Sequence, residues 1–591
     1  MINQKLERIL SKVTKPARYV GGEYNQIVKD KSAVDVSVAY CFPDTYEIGM
    51  SNFGLRVMYG VINGLDKVRC ERVFFPWIDM EEEMIKENLP LFALESGDPV
   101  KDFDIVAFSA GYELSYTNIL NMLKLSDIPL RREDRNDDSP LVIAGGTCCF
   151  NPEPLSDFID LFVIGDGEDV VVEIIDIYRQ FGKKGPEFFK AASSLEGVYV
   201  PSLYEVTYDN GNKIAQIRGV DGALIPINKR IVADLDSAFY PVDTIVPSTG
   251  LVHDRVVLEL FRGCKRGCRF CQAGHVTRPV RYRSPNALIK QGIEALEKSG
   301  YDEAALLSLS TSDYPEIFAL CDGLLAWCEP RKISLSMPSL RADNFSVELM
   351  EKVQKVRKSG LTFAPEAGTQ RLRDVINKDI TEKDLLDTCA VAFEGGWNSI
   401  KLYFMLGLPT ETDEDVLGIA QLAKAVHYTW KQYARNKARG VRITVSTSCF
   451  VPKPHTPFQW EEQISMEEYL RRVELLKNAI GSKAISYKWH SPEQGYIEAA
   501  LARGDRRIGR VLEAAVNKGA RLDSWSECFS LDLWLEAFKS CGADPAFYGR
   551  RERGDSEVLP WSHINSGLSE GFFRKERNRA YGYDDAFERG K

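Results

Sequence analysis

The sequence predicts an α/β protein in three parts. A parallel sheet with helices on both faces is expected over residues 1–190, six strand–helix units over 250–480, and a helical domain over 481–591. The first two parts follow from short apolar runs alternating with stretches of helical period, since strands spaced by helices pair in parallel. Between them, residues 191–249 form a connector with a hairpin signal, apolar runs at 203–208 and 213–217 flanking Asp209-Asn-Gly211. Those turn residues supply positive φ. The third part follows from a change of pattern to helical stretches at 506–518, 531–541 and 566–578, with Trp525, Trp534 and Trp561 expected to fill a small core. A chain of 591 residues is in any case too long for one core.

In the first part, strands are expected at 34–41, 69–75, 104–109, 140–144 and 161–164, with helices near 52–64 and 169–178. Ser51 or Asn52 is a suitable N-cap for the first helix. Sheets of this kind bind ligands beyond the carboxyl ends of their strands. Gly145 and Gly146 follow one strand there, and Gly165 and Gly167 the next. Backbone without a Cβ lets a ligand come close, so these four are candidate cofactor contacts. A tight turn is the plainer explanation of the same glycines. Residues 43–54 lie where a loop would face such a ligand, and Cys148 and Cys149 read as buried apolar thiols. A short amphipathic helix at the start sets Ile2, Leu6, Ile9 and Val13 on one side.

The second part opens with an apolar run at 256–260, and three cysteines follow it. Cys264, Cys268 and Cys271 are spaced C-x3-C-x2-C among Gly263, Gly267 and Gly274, which let the loop curl. Three thiolates leave one iron of a four-iron cube without a protein ligand, and a reactive metal site keeps an open position. Zinc, with His275 as fourth ligand, is the competing reading of this spacing. Further strands are expected at 304–309, 333–337, 361–364, 400–406 and 441–445, with helices at 285–298, 347–356, 381–393 and 413–428. Six units make a (β/α)6 partial barrel, whose chemistry belongs at the carboxyl ends of its strands. Ser310, Ser339, Arg341, Glu366 and Arg371 are placed there.

The cysteine loop, with Phe270 before its last thiol, resembles the C-x3-C-x-aromatic-C signature of the radical S-adenosylmethionine (SAM) superfamily. The resemblance implies that Cys264, Cys268 and Cys271 bind a 4Fe-4S cluster whose fourth iron chelates SAM. One electron would then cleave SAM to methionine and a 5′-deoxyadenosyl radical, with the backbone beside Phe270 contacting adenine. Residues 365–371, Pro-Glu-Ala-Gly-Thr-Gln-Arg, resemble the family's Glu-Ser/Ala-Gly-x-x-Arg element, which implies a SAM contact for Glu366 and points less firmly to Arg371. Residues 406–415 and 450–458 resemble rim turns of cobalamin-associated and methylthio-transferring relatives.

The order Ala-Gly145-Gly146, then Ile-Gly165-Asp-Gly167-Glu168, resembles the Rossmann-like cobalamin-binding domain joined to many radical SAM enzymes. It departs from the Asp-x-His-x-x-Gly cobalamin motif, because residues 1–252 contain no histidine to ligate cobalt. A domain that only shapes the substrate cavity therefore stays open. End to end, the chain resembles a poorly characterised family of cobalamin-associated radical SAM proteins. That implies hydrogen abstraction from an unactivated carbon, delivery of a cobalamin-borne methyl group, and a flavodoxin- or ferredoxin-type electron donor. The alternatives are radical sulfur insertion or rearrangement without cobalamin, and a metal-stabilised binding protein without turnover. The substrate class is open, RNA included.

Composition narrows the setting. Thirteen cysteines are too few and too scattered in this chain for a disulfide scaffold. A net charge of −10 gives no overall footprint for nucleic acid, and the basic clusters at 278–283 and 574–579 read as solvated surface. No apolar run approaches a transmembrane length, and the first residues lack the apolar core of a signal peptide. The expectation is a cytoplasmic protein with no membrane partner.

Overall fold

The structure, a computed structural model, describes residues 4–337, 360–438 and 440–582. Ile2, Ser339, Arg341 and the helix expected at 347–356 lie outside the described residues. The chain divides into two compact units. One comprises Met1–Asp254, Leu501–Pro545 and Asp555–Gly567, the other Arg255–Ala500, Ala546–Gly554 and Leu568–Lys591. The expected C-terminal domain is thus replaced by segments shared between the units. The reason is local: its aromatic residues find partners on those units instead of forming a separate core.

In the first unit, Val36–Phe42 (β1), Val68–Phe74 (β2), Ile105–Ser109 (β3), Leu141–Gly145 (β4) and Leu161–Val163 (β5) pair in parallel in the order β2-β1-β3-β4-β5. Helices cover these strands, and burial on both faces explains why most of them read as continuous apolar runs. β2 is the exception. Its Arg72 is fully buried between Glu23 and Glu95, each within 2.8 Å, so its charges are paired where others would face water. A two-residue strand, Val198–Tyr199 (β6), joins antiparallel to β5 and is too short to leave a periodic signal. The expected hairpin forms from Tyr204–Tyr208 (β7) and Ile214–Gly219 (β8). Ile227–Asn228 (β9) pairs with Ile564–Asn565. Helix Phe53–Asn63 starts at Asn52, whose side chain accepts from the Leu55 N–H at 3.0 Å.

Helices Ile508–Asn517 and Leu531–Ser540 complete this unit. Asn121 Nδ2 donates to the Ala520 carbonyl at 2.8 Å, and Asn151 Nδ2 to that of Ala502 at 2.9 Å. Trp534 and Trp561 are buried, while Trp525 packs edge-on against Trp77. The N-terminal helix, Gln4–Leu10, buries Leu6 and Ile9 as its pattern predicts.

The second unit begins with Val256–Glu259 (β10), a two-residue hairpin ladder of Phe261–Arg262 (β11) with Arg281–Tyr282 (β12), Glu303–Leu307 (β13) and Ser334–Ser336 (β14). Strands β10, β13 and β14 form a parallel sheet. Leu361–Glu366 (β15), Ser399–Leu406 (β16), Arg442–Cys449 (β17) and Ile485–Trp489 (β18) form a second parallel sheet. The six expected strands are all present, and β18 is an addition. β16 shows the two-sided design: Ile400, Leu402, Phe404 and Leu406 are buried, while Lys401, Tyr403 and Met405 alternate with them and are half-buried. No described helix is long and apolar enough to cross a membrane.

Candidate functional site

The β11–β12 ladder pinches off residues 263–280 as a loop beyond the end of β10. Gly263, at φ +92, makes this closure sterically feasible. A Cβ there would lie 2.8 Å from the Pro279 carbonyl oxygen and 3.0 Å from that of Thr277. Inside the loop, Cys264, Cys268 and Cys271 are half-buried thiols, none of them joined in a disulfide. The Gly274 N–H donates to Cys271 Sγ at 3.3 Å, and a Cβ on Gly274 would lie 3.9 Å from the Cys264 Cβ. Burial pushes the Cys271 thiol up to about 11, and the neighbouring thiols push the same way. A metal must displace that proton, as it does for any thiolate ligand.

The loop is held from three directions. Arg278 Nε donates to the carbonyls of Cys264 and Gly274, each at 3.1 Å. Arg266 forms a two-point pair with Asp313, and the Ser310 hydroxyl donates to the same carboxylate at 2.8 Å. Burial opposes the charge on Asp313, but these hydrogen bonds outweigh it and hold the carboxyl below its usual range. Asn377 Nδ2 donates to the Gly267 carbonyl at 2.9 Å, and Arg269 N–H to that of Ile376 at 3.0 Å. The loop after β10 is therefore fastened to the segments after β13 and β15. The basic cluster at 278–283, expected as solvated surface, is part of this frame. Arg278 binds loop carbonyls, and Arg283 is fully buried near Glu259.

Glu366 ends β15 beside this loop, close enough for its charge to act on Cys271. The β15–β16 register shifts between Phe363 and Glu366, and Glu366 itself adopts φ +68. A non-glycine residue in the left-handed region at a bulge is a strained arrangement typical of functional sites. Its carboxylate lies 3.3 Å from Lys378 Nζ. Burial raises the Glu366 carboxyl above its usual range, and Lys378 pulls against that shift. Phe270 packs with Ala367, Leu372, Leu408, Phe450 and Phe458. The segments after β10, β15, β16 and β17 thus share one apolar contact.

The other expected residues divide. Ser310 is buried, and its hydroxyl is committed to Asp313. Arg371 is tied to Asp415 and to the Thr410 carbonyl, so it braces two strand ends. His275 does not complete a zinc site: Nδ1 meets the Cys271 carbonyl oxygen at 2.7 Å, and the ring lies buried against Phe572 and Phe573. Among the described residues, no three His, Cys, Asp or Glu side chains gather at single-ion spacing. A four-iron cube spreads its thiolates over its corners, so the half-buried three-thiol loop suits a cluster better than one ion. Sequence reasoning missed Lys378, Asn377 and the Arg266–Asp313 pair. Asp313 stands three residues after Ser310, which the strand-end pattern had singled out, whereas Lys378 shares no short-range spacing with Glu366.

The glycines of the first unit also divide. A Cβ on Gly165 would lie 2.2 Å from the Arg230 carbonyl oxygen, and one on Gly146 would lie 2.5 Å from that of Ala110. Both are positive-φ positions, so packing of the chain against itself accounts for them. A Cβ on Gly167 would meet the Met58 side chain. Only Gly145 of the four has ordinary room on both counts. The loop after β1 is covered by this unit's own later segment, with Trp525 Nε1 donating to Asp44 at 3.0 Å. Beyond β3 and β4, however, Gly111, Gly146 and Thr147 are exposed, and nothing lies within 4 Å of a Cβ built on Gly111. Together they form a ledge of open backbone. Cys148 and Cys149 behind it are buried, as expected.

Two family models match the chain: "Radical SAM proteins, N-terminal" over residues 54–201 and "Radical SAM superfamily" over residues 258–423. An uncharacterised protein of Methanocaldococcus jannaschii is 29% identical over 86% of this chain and 97% of its own. A tRNA-2-methylthio-N(6)-dimethylallyladenosine synthase of Desulforamulus reducens is 25% identical over 45% of this chain and 56% of its own. Among solved structures, the cobalamin-dependent radical enzyme OxsB with aqua-cobalamin and SAM bound matches 94% of this chain and 80% of its own. Its TM-score is 0.46, at 12% identity.

Proposed function

From the premise that this chain belongs to the radical SAM superfamily, we propose that it methylates an unactivated carbon of its substrate with the help of cobalamin. The observation that carries the radical part is the meeting of the three-thiol loop with Glu366 at the strand ends of the second unit. When bound, a 4Fe-4S cluster and SAM supply a carbon radical able to abstract hydrogen, and cobalamin supplies the methyl group. Cys264, Cys268 and Cys271 hold the cluster, and Gly274 N–H stabilises the Cys271 thiolate. Glu366 is suited to the polar groups of SAM, and Phe270 sets the apolar wall beside it. Asp313, Asn377 and Arg278 keep the loop from moving as charge on the cluster changes. Such rigidity holds reacting atoms in near-attack positions. Cobalamin is assigned to the ledge at Gly111 and Gly145–Thr147 on its open backbone and on the order of glycine motifs. An electron donor of flavodoxin or ferredoxin type would reduce the cluster.

The test is anaerobic reconstitution, addition of SAM and dithionite, and chromatography for 5′-deoxyadenosine. Product from the wild type but not from Cys268→Ala is expected. Bound zinc with no affinity for SAM would end the enzyme reading. A second reading, sulfur insertion, has the match to the methylthio-forming synthase in its favour. Cobalt retained in stoichiometric amount, and a product heavier by methyl and not by methylthio, would separate the two.

A further inference from the structure

The last helix of the second unit, Glu570–Ala580, packs against the cysteine loop. It carries the cations at 574–579 that the sequence pattern assigns to solvated surface. Phe573, Glu576 and Ala580 are buried, three positions on one helical face. A carboxylate on a buried face needs a partner, and here the loop supplies it. Glu576 Oε2 accepts from Nε and Nη2 of Arg269, both at 3.3 Å. Its other oxygen accepts from Arg579 Nη1 at 2.5 Å. Arg269 stands between Cys268 and Phe270, more than three hundred residues earlier in the chain.

Arg269 is itself buried and is held on both sides. Its Nη1 donates to the carbonyls of Asp374 and Val375, at 3.0 and 2.8 Å, while its other edge faces the helix. Among the described residues, Glu576 is the one carboxylate within 4 Å of this guanidinium. Other contacts follow the same face. Phe573 and Phe572 pack on the His275 ring, with centroids 5.7 and 6.2 Å away. Arg278 lies 6.0 Å over Phe572, and Ala580 and Tyr581 join the apolar contact around Phe270. Arg577 fastens the helix to Glu461 and Glu552, each at 2.6 Å.

We propose that Glu576 is a positioning residue for the cluster site: it anchors Arg269, and with it the stretch from Cys268 to Cys271, and it offsets that arginine's charge beside the thiolates. This rests on the reading that Cys264, Cys268 and Cys271 hold a 4Fe-4S cluster. The potential of such a cluster depends on nearby charge and on exposure to solvent. Removing the carboxylate leaves Arg269 and Arg579 without their shared counter-charge. Reduction adds an electron, so excess positive charge favours the reduced state. Breaking a buried pair also loosens whatever the pair holds, and here that is the loop itself.

The test compares the full chain with Glu576→Gln, Glu576→Asp and Lys575→Gln, the last removing an exposed charge from the same helix. Hydrogen exchange across residues 263–280 is measured on the iron-free proteins, and the midpoint potential on the reconstituted ones by redox titration followed by electron paramagnetic resonance. Glu576→Gln is expected to exchange at least threefold faster across the loop and to shift the midpoint to a less negative value. Lys575→Gln should change neither. Glu576→Asp keeps the charge with a shorter reach, so it should keep the midpoint and still raise exchange. It carries the test if the glutamine variant does not fold. Unchanged exchange in the Glu576 variants, or a shift as large in Lys575→Gln, overturns the inference. A wild type that takes up no iron overturns the cluster reading instead, and exchange in the iron-free chain still decides whether Glu576 holds the loop.

Discussion

Glu366 closes β15 at φ +68 with its carboxylate 3.3 Å from Lys378 Nζ. The strained backbone turns the carboxylate out of the strand pattern, and the lysine twelve residues on holds it there. Left-handed strain of this sort costs about 1–3 kcal/mol and survives only where surrounding contacts impose it. Glu366→Gln keeps the size and removes the charge. The expected outcome is unchanged iron content and SAM affinity about tenfold weaker, about 1.4 kcal/mol. Anaerobic equilibrium binding measures it, and equal affinity would remove Glu366 from the SAM site.

Gly263 is the hinge of the cysteine loop. A methyl group there must fit 2.8 Å from a backbone oxygen at φ +92. Gly263→Ala is expected to strain the loop by about 1–3 kcal/mol and to lose most of its iron after reconstitution. Iron analysis beside an unchanged far-ultraviolet spectrum checks this. Full iron loading would mean that the β11–β12 closure does not matter to the cluster.

Two glycines of the first unit should behave oppositely. Gly165→Ala drives a Cβ to 2.2 Å from the Arg230 carbonyl oxygen, so a clear fall in melting temperature is expected with or without ligand. Gly111→Ala meets nothing within 4 Å, so stability should stay within about 0.5 kcal/mol. Cobalamin retention should nevertheless fall in Gly111→Ala if the ledge is its seat. Absorbance of bound cobalamin reads this directly, and undiminished retention would move the cofactor elsewhere.

Asp523 gives a pH prediction. Burial raises its carboxyl to about 6, against hydrogen bonds from Thr117 and Trp534 that pull it down. The folded state therefore keeps a proton that the unfolded chain releases near pH 4. The resulting stability is full below about pH 4 and is lost as pH rises through 6, a change of about 3 kcal/mol. Asp523→Asn lacks this titration. Its stability relative to the wild type should rise by that amount between pH 4 and pH 8, in urea unfolding followed by tryptophan fluorescence. A difference independent of pH would mean that Asp523 is ionised throughout.

Much of the candidate site was legible because its signals are local. Cys264, Cys268, Phe270 and Cys271 lie within one loop, and Glu366 sits in a motif at a strand end. The glycines were less informative than they looked. Gly146 and Gly165 do lie at strand ends, but the backbones of Ala110 and Arg230 fill the space beside them. No local pattern distinguishes a glycine that admits a ligand from one that admits another strand of the same chain. Arg278 and Arg283 misled in the opposite direction, since a basic run gives no hint that its members face carbonyls and a half-buried glutamate.

The sequence by itself determined the alternation of strands and helices, the place of the three-thiol loop at a strand end, and the family to which that loop belongs. Each of these depends on periodicity or on spacing over a few residues, which local geometry imposes on any chain. Only the tertiary structure decided that the tail is divided between two units, that Lys378 answers Glu366, and that Glu576 meets Arg269 of the cysteine loop. Those outcomes depend on which surfaces of distant segments bury each other, and side-chain charge alone does not reveal whether its partner is water or another residue.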